Sequence, residues 1–268
     1  MFEDAGKYAA FFKMGIKDEL AYVGDVIISL ILRIGAPLVM LAVWYAIYLA
    51  SGTATIGGFS LSQTYSYFFA VSLVAVFTVP SVLWMIQDDI QGGALGANLV
   101  RPVNYVLSTI VMDLSWGLLQ AALIGVPMGV LLVLLLHIAL SPMYLALFVS
   151  ELAVALLLMY AIEMLIAALA IYLTYINSLY SAIYTAIAFI SGMTLPLNFF
   201  PQWASGILQY ALPFQILAYT PAATFIGAIA VPQALESTAV ALAWALALSL
   251  AAALFWRHAM KRITIAGG

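Results

Sequence analysis

Long apolar runs, separated by short polar or proline-bearing stretches, make up most of the chain. They predict helices at about Val26 to Ala50, Thr64 to Ile86, Tyr105 to Leu136, Met143 to Thr174, Leu179 to Leu197 and Gln233 to Trp256. A helix needs about 20 apolar residues to cross a hydrocarbon layer about 30 Å thick, and each run meets or nearly meets that length. The third and fourth runs are too short for two crossings and a turn, so each predicts one long helix, tilted or protruding. Pro80 and Pro127 fall inside two of these runs and predict kinks. Ahead of the first run, Tyr8, Phe11, Phe12 and Ile16 recur at helical spacing, with Lys13 and Lys17 on another face. That pattern predicts a helix lying in the membrane interface. Glu19 falls on its apolar face, so the helix is expected to end or turn there. The division expected is an N-terminal interfacial region over 1–25 and one membrane domain over 26–268.

Residues 206–230 carry no charge and are long enough for a seventh crossing. Pro213 and Pro221 would interrupt such a helix. The stretch from Asn198 to Pro232, divided by Pro201, Pro213, Pro221 and Pro232, is therefore expected to form short re-entrant or interfacial pieces on the outer side. The expected fold class is all-α integral membrane, with six transmembrane helices.

Composition agrees, with 66% hydrophobic and 7% charged residues against about 25% charged in soluble domains. The eight basic residues decide orientation: Lys7, Lys13, Lys17, Arg33, Arg101, Arg257, Lys261 and Arg262 all fall on or near one side of a six-span layout. Positive charge favours the cytoplasm, so both ends are expected inside. The first 25 residues hold eight charges, which leaves no apolar stretch for a cleavable signal.

Several chemistries are excluded or disfavoured. Cysteine is absent, so there are no disulfides or thiolate metal sites. None of the four lysines sits in a phosphate-binding loop, so this chain is not expected to hydrolyse ATP in the P-loop manner. His137 and His258 fall at span ends on opposite sides, a poor basis for a zinc or protease site. Ser205-Gly206 lacks the preceding glycine of a nucleophile elbow. No metal site is expected.

The second inner loop, Gln87 to Asn104, is the most distinctive stretch on that side. Asp88 and Asp89 suit a helix N-terminus, Gly92, Gly93 and Gly96 keep the loop small, and Pro102 marks a stop at Arg101. The residues admit a short surface-parallel helix between two turns or an ordinary tight loop.

Ile90-Gln91-Gly92-Gly93-Ala94-Leu95 followed by Leu99-Val100-Arg101-Pro102-Val103-Asn104 resembles the inner-loop signature of a bacterial and archaeal branch of the type-two ABC exporter permeases. A second block, Ser191-Gly192, Pro196, Phe199-Phe200-Pro201, Trp203, Leu212-Pro213-Phe214, Tyr219 and Pro221, resembles that branch's outer block. The resemblance covers essentially the whole chain. It implies that the inner loop is a cytoplasmic coupling helix docking on a separate ABC ATPase subunit through Asp89, Gly92, Gly93, Leu95, Leu99, Arg101, Pro102 and Asn104. It implies an outer gate of Phe199, Phe200, Pro201, Trp203, Pro213 and Phe214, though an interfacial aromatic belt explains these residues equally well. ATP and magnesium would sit on the partner and no cofactor on this chain. The expected partners are the ATPase, a second permease copy or a homologous permease, and membrane lipid, with no nucleic acid. The location implied is the cell's inner (plasma) membrane.

Charges inside a membrane are costly and mark function or pairing. Arg33, Asp113 and Glu163 fall at comparable depth, and a structural ion pair of Arg33 with one of the two carboxylates is favoured over a substrate site. Glu151 is expected to reach the outer interface. Tyr67, Phe68, Phe77 and Thr78 on the second span and Tyr180, Tyr184, Thr185 and Phe189 on the fifth are candidates for a route lining, with packing as the alternative. Gly125 and Gly129 offer a close helix contact. The scarcity of membrane-embedded positive charge favours a lipophilic or amphiphilic substrate over an anionic polymer. Two other functions fit the same composition: a secondary transporter relaying protons on Asp113 or Glu163, and a non-transporting scaffold subunit.

Overall fold

A computed structural model describes residues 2–20, 23–138, 141–173 and 175–262, without the side chains of 2–5, 19, 23, 25–27, 29–34, 36–37 and 210. The described chain is almost wholly helical. The long apolar elements are α2 (Val23–Ser51), α3 (Leu61–Thr78), α6 (Tyr105–Gln120) running through a π-turn (Ala121–Gly125) into α7 (Val126–Leu135), α8 (Pro142–Ala170), α9 (Asn177–Ile190) and α12 (Val231–Met260). Among the described residues, four helices are long and apolar enough to cross a membrane: Leu61–Thr78, Tyr105–Leu135, Pro142–Ala170 and Val231–Met260. Two shorter apolar stretches are Leu38–Ser51 and Asn177–Ile190. The chain is therefore an all-α membrane protein.

Helix α8 is the axis of the fold. The most apolar 18-residue window of α8 is 67% buried, whereas that of α12 is 17% buried. Lipid-like surroundings are thus available to most of α12, while α8 is enclosed by α3, α4 (Val82–Gln91), α11 (Tyr219–Phe225) and α12. The third and fourth runs each form one long helix, as their lengths predict. In the third, Pro127 lies directly after the π-turn, which absorbs the backbone mismatch that a proline makes in a continuous helix. Gly125 and Gly129 both face α3: a Cβ on Gly125 would lie 2.5 Å from Phe77 Cζ, and one on Gly129 would lie 3.5 Å from Leu73. The pair does bring two helices close.

Pro80 has a larger effect than a kink. Residues 79–81 leave the helix, and the second run is split into α3 and α4.

Helix α1 (Phe2–Leu20) forms where the spacing predicts, but its neighbour was not legible. Lys7 Nζ donates to Pro102 O over 3.4 Å, the Asn104 amide donates to Tyr8 Oη over 3.3 Å, and a Cβ on Gly15 would collide with Ser115 Oγ and Met112 O. Contacts advance together along both helices, so α1 runs beside the first turns of α6 in the same direction. Glycine at position 15 is what lets the two backbones approach.

The loop after α2 closes as a small hairpin, Thr55–Ile56 paired with Phe59–Ser60. Gly57 and Gly58 form its two-residue turn at φ +54° and +84°, a backbone that glycine adopts without strain. The charge-free stretch 206–230 forms no membrane-length helix: α10 (Gln202–Gly206), a π-turn (Ile207–Ala211), a 3₁₀ turn (Phe214–Leu217) and α11 follow one another before α12. Pro221 does not divide these pieces; it lies in the first turn of α11, where its missing amide is no loss. The fifth run ends earlier than predicted, at Ile190, where Ser191 and Gly192 turn the chain.

Candidate functional site

Three groups of residues carry candidate function: the membrane-embedded carboxylates, the inner loop, and the outer block.

The break after α3 leaves the first amides of α4 without helical partners, as at any helix start. Carboxylates supply them. Ser81 N donates to Asp113 Oδ1 over 2.7 Å, and Leu83 N donates to Glu163 Oε2 over 3.1 Å. Tyr160 Oη completes the set by donating to Asp113 Oδ2 over 2.8 Å. Asp113 comes from α6 and Glu163 from α8, so both helices are tied to the start of α4. Glu163 is fully buried, and its Oε1 has no hydrogen-bond partner among the described residues. Negative charge at a helix N-terminus also complements the dipole. The carboxylates are thus helix caps. The side chain of Arg33 lies outside the described residues, so its expected pairing with them is untouched by this geometry.

Glu151 corrects an expectation. It does not reach the outer interface but is fully buried on α8, accepting a 2.8 Å hydrogen bond from Thr224 Oγ1 of α11 at Oε1. Its position in a long apolar helix gave no sign of this, because the partner arrives from a segment 73 residues away.

In the inner loop, Asp88 and Asp89 sit near the C-terminal end of α4 and not at the start of a coupling helix. The dipole disfavours carboxylates there, and Asp89 is compensated directly: its Oδ2 accepts from Asn98 Nδ2 at 2.8 Å and from Tyr105 Oη at 2.7 Å. The helix inside the loop, α5 (Leu95–Leu99), is five residues long. Gly93, at φ +72°, reverses the chain between α4 and α5. Asn104 caps α6, accepting from the Leu107 amide at 3.0 Å. Leu95 is buried with Val82, Leu83, Ile86 and Tyr105, and Leu99 packs on that cluster. Of the eight residues proposed for this loop, Asp89, Leu95 and Leu99 therefore build it from within, and Asn104, itself exposed, caps the helix that follows. Gly92, Gly93, Arg101 and Pro102 are exposed, joined by Asp88, Ala94 and Ala97. Val100, 82% exposed, stands at the tip and was not singled out by the sequence reading. No sequence signal marked it, because the exposure of a valine is set by how the loop folds.

The far ends of other helices meet this loop. Tyr105 stacks on Trp256 with centroids 6.1 Å apart, and Gln87 Nε2 donates to Asn177 Oδ1 at 3.0 Å. Arg257, Lys261 and Arg262 follow Trp256, so they share an end of the molecule with Arg101 and Lys7.

The outer-block aromatics divide: Phe199 and Phe200 pack on one buried cluster, and Phe214 and Trp203 lie apart from it. Phe199 packs edge-on against Trp44 and Phe59, with centroids 5.1 and 6.0 Å away. Phe200 meets Phe189 of α9 at 6.0 Å, Phe214 packs against the cluster around Leu158 and Ala241, and Trp203 is 75% exposed. Pro213 is buried, while Pro201 is exposed. The block is fastened elsewhere: Tyr67 Oη donates to Gly192 O at 2.8 Å, Tyr219 N donates to Ser191 O at 3.0 Å, and Asn198 Nδ2 donates to Gly57 O at 2.6 Å. A Cβ on Gly192 would sit 2.7 Å from Tyr67 Oη and 2.8 Å from Tyr219 Cβ, at φ +95°, so only glycine fits. Tyr67 and Phe68, candidates for a route lining, are buried packing residues in the same cluster. On the fifth run, Tyr180 stacks on Tyr184 and meets Trp84 edge-on.

No group of three or more metal-ligating residues occurs among the described residues. No curated protein matches the chain. The sequence profile of the ABC-2 family transporter protein matches residues 21–267, which spans every long helix described above. A multi-pass helical chain matched over nearly its whole length belongs to the ABC-2 transporter family, and it is the membrane-spanning subunit of an ABC transporter, the partner of an ATPase subunit.

Proposed function

We propose that this subunit is an exporter permease that crosses the inner membrane six times with both ends in the cytoplasm. The alternating course of α2, α3–α4, α6–α7, α8, α9 and α12 supports six passes, and the gathering of Lys7, Arg101, Arg257, Lys261 and Arg262 at one end supports the orientation. Two permease subunits, identical or homologous, enclose the route, and the ATPase partners hold ATP and magnesium.

The observation that carries the coupling role is the exposed arc of the inner loop. Val100, Arg101 and Pro102 project outward from a loop whose other side is fixed by Asp89, Leu95, Leu99 and Asn104. A rigidly seated loop with an apolar and cationic tip suits docking on another protein, where such anchors contribute most of the affinity. ATP-driven closure of the partners then moves α4 and α6 together through the loop, a change that needs different contacts in the two states. The segment 213–225 closes the outer end, held by α3 and α8, with Phe199 and Phe200 packed on the cluster that holds Tyr219 and Phe225. The secondary-transporter reading is weaker, because Asp113 and Glu163 are engaged as helix caps.

Arg101→Glu is expected to abolish co-purification of the ATPase from mild detergent while leaving membrane insertion intact. Undiminished co-purification removes Arg101 from the docking surface, and transport that persists without any ATPase replaces the coupling reading with an ion-coupled one.

A further inference from the structure

Beside the inner loop, α1, α4, α6 and the loop itself line an open-sided cavity of about 350 Å³. Its walls divide by chemistry. Phe11 and Met14 of α1, with Met85 and Met112, supply the apolar part. Arg101 and Asp89 supply two opposite charges. These two line the same cavity without forming an ion pair, and no described side chain bonds the guanidinium of Arg101. Lys7 lies on the same face of α1 as Phe11 and Met14, at i, i+4 and i+7, and its bond to Pro102 O holds α1 across the loop.

We propose that this cavity binds the head of a zwitterionic phospholipid, its phosphate on Arg101 and its ammonium on Asp89, with the glycerol and first acyl carbons against the methionines and Phe11. The planar fork of arginine matches a phosphate. A carboxylate already accepting two hydrogen bonds retains lone pairs for an ammonium. The volume is at the low end for ligand sites, right for a headgroup and too small for a whole lipid, so the acyl chains must leave toward the bilayer. Methionines adapt to such irregular apolar groups. The ligand would bridge α1 to the loop. This site shares Arg101 with the docking surface but requires neither the ATPase nor transport, so Met14, and not Arg101, separates the two readings.

The test is photolabelling of the delipidated, purified chain in micelles carrying diazirine-tagged phosphatidylethanolamine or phosphatidylglycerol, with labelled peptides mapped by mass spectrometry. Saturable labelling around Met14 and Met112 is expected with phosphatidylethanolamine and far less with phosphatidylglycerol. Arg101→Gln is expected to lower that labelling about tenfold, the worth of one charge-assisted hydrogen bond, and Met14→Trp to lower it similarly by filling the cavity. Met14 is outside the docking arc, so Met14→Trp is expected to retain the ATPase, which keeps the two proposals separable. Size-exclusion profiles identify any variant that fails to fold, and in that case the contrast between the two lipids on the unaltered chain decides. Equal labelling by both lipids, or labelling unchanged in folded variants, overturns the site in favour of ordinary surrounding lipid. Competition by soluble phosphoethanolamine as strong as by the lipid overturns the lipid assignment.

Discussion

Two of the regions where the helical course breaks, the α3–α4 junction and the outer segment, are secured differently. At the α3–α4 break, directional polar contacts dominate: carboxylates from two other helices reach the amides of Ser81 and Leu83, and Tyr160 steadies one of them. In the outer segment, close backbone packing accompanies the hydrogen bonds: Gly192 lies under Tyr67 and Tyr219, Gly57 lies against Asn198 and Phe199, and side-chain bonds run from Tyr67 to Gly192 O, from Asn198 to Gly57 O and from Thr224 to Glu151. A break fixed by a few hydrogen bonds can switch between two arrangements when those bonds are exchanged. A segment fixed by steric fit moves as a body or not at all. The inner break is thus the better candidate for a joint that moves with the inner loop, and the outer segment for a rigid cap.

The largest effect is expected from Asp113→Ala, which strands the half-buried Ser81 amide and the buried Tyr160 hydroxyl, at a cost of about 2–4 kcal/mol. Unfolding of the purified protein in mixed detergent measures it, and Asp113→Asn, which can still accept from Ser81, should recover a good part. Gly192→Ala follows closely, also at about 2–4 kcal/mol, combining overpacking with a left-handed backbone. If it costs as little as a surface change, the outer segment is not held by fit and the contrast fails. Thr224→Val is the smallest, about 1 kcal/mol, because side-chain hydrogen bonds between membrane helices contribute little on average. A loss as large as that of Asp113→Ala would instead make Glu151 the keystone of the outer segment.

Much of the outer segment was legible because proline acts locally: Pro213 interrupts any long helix at 206–230 whatever surrounds it. The inner loop was legible as a feature but not in its construction. Aspartates commonly mark a helix start, yet Asp89 sits near a helix end because Asn98 and Tyr105 donate to it there. Val100 was passed over, since exposure of a valine is set by how the loop folds, not by its neighbours in sequence. The partners of Glu151 and the path of α1 along α6 likewise depend on segments distant in the chain.

By itself the sequence determined the membrane class, the number of long apolar runs, the family, and the lack of a membrane-length helix at 206–230, because apolar length, proline geometry and charge cost act within one segment. Only the tertiary structure decided which buried carboxylate meets which amide, which loop residues face outward, and where α1 lies. Those outcomes follow from pairing groups tens of residues apart, and a buried polar atom takes whichever partner the packed helices bring within reach.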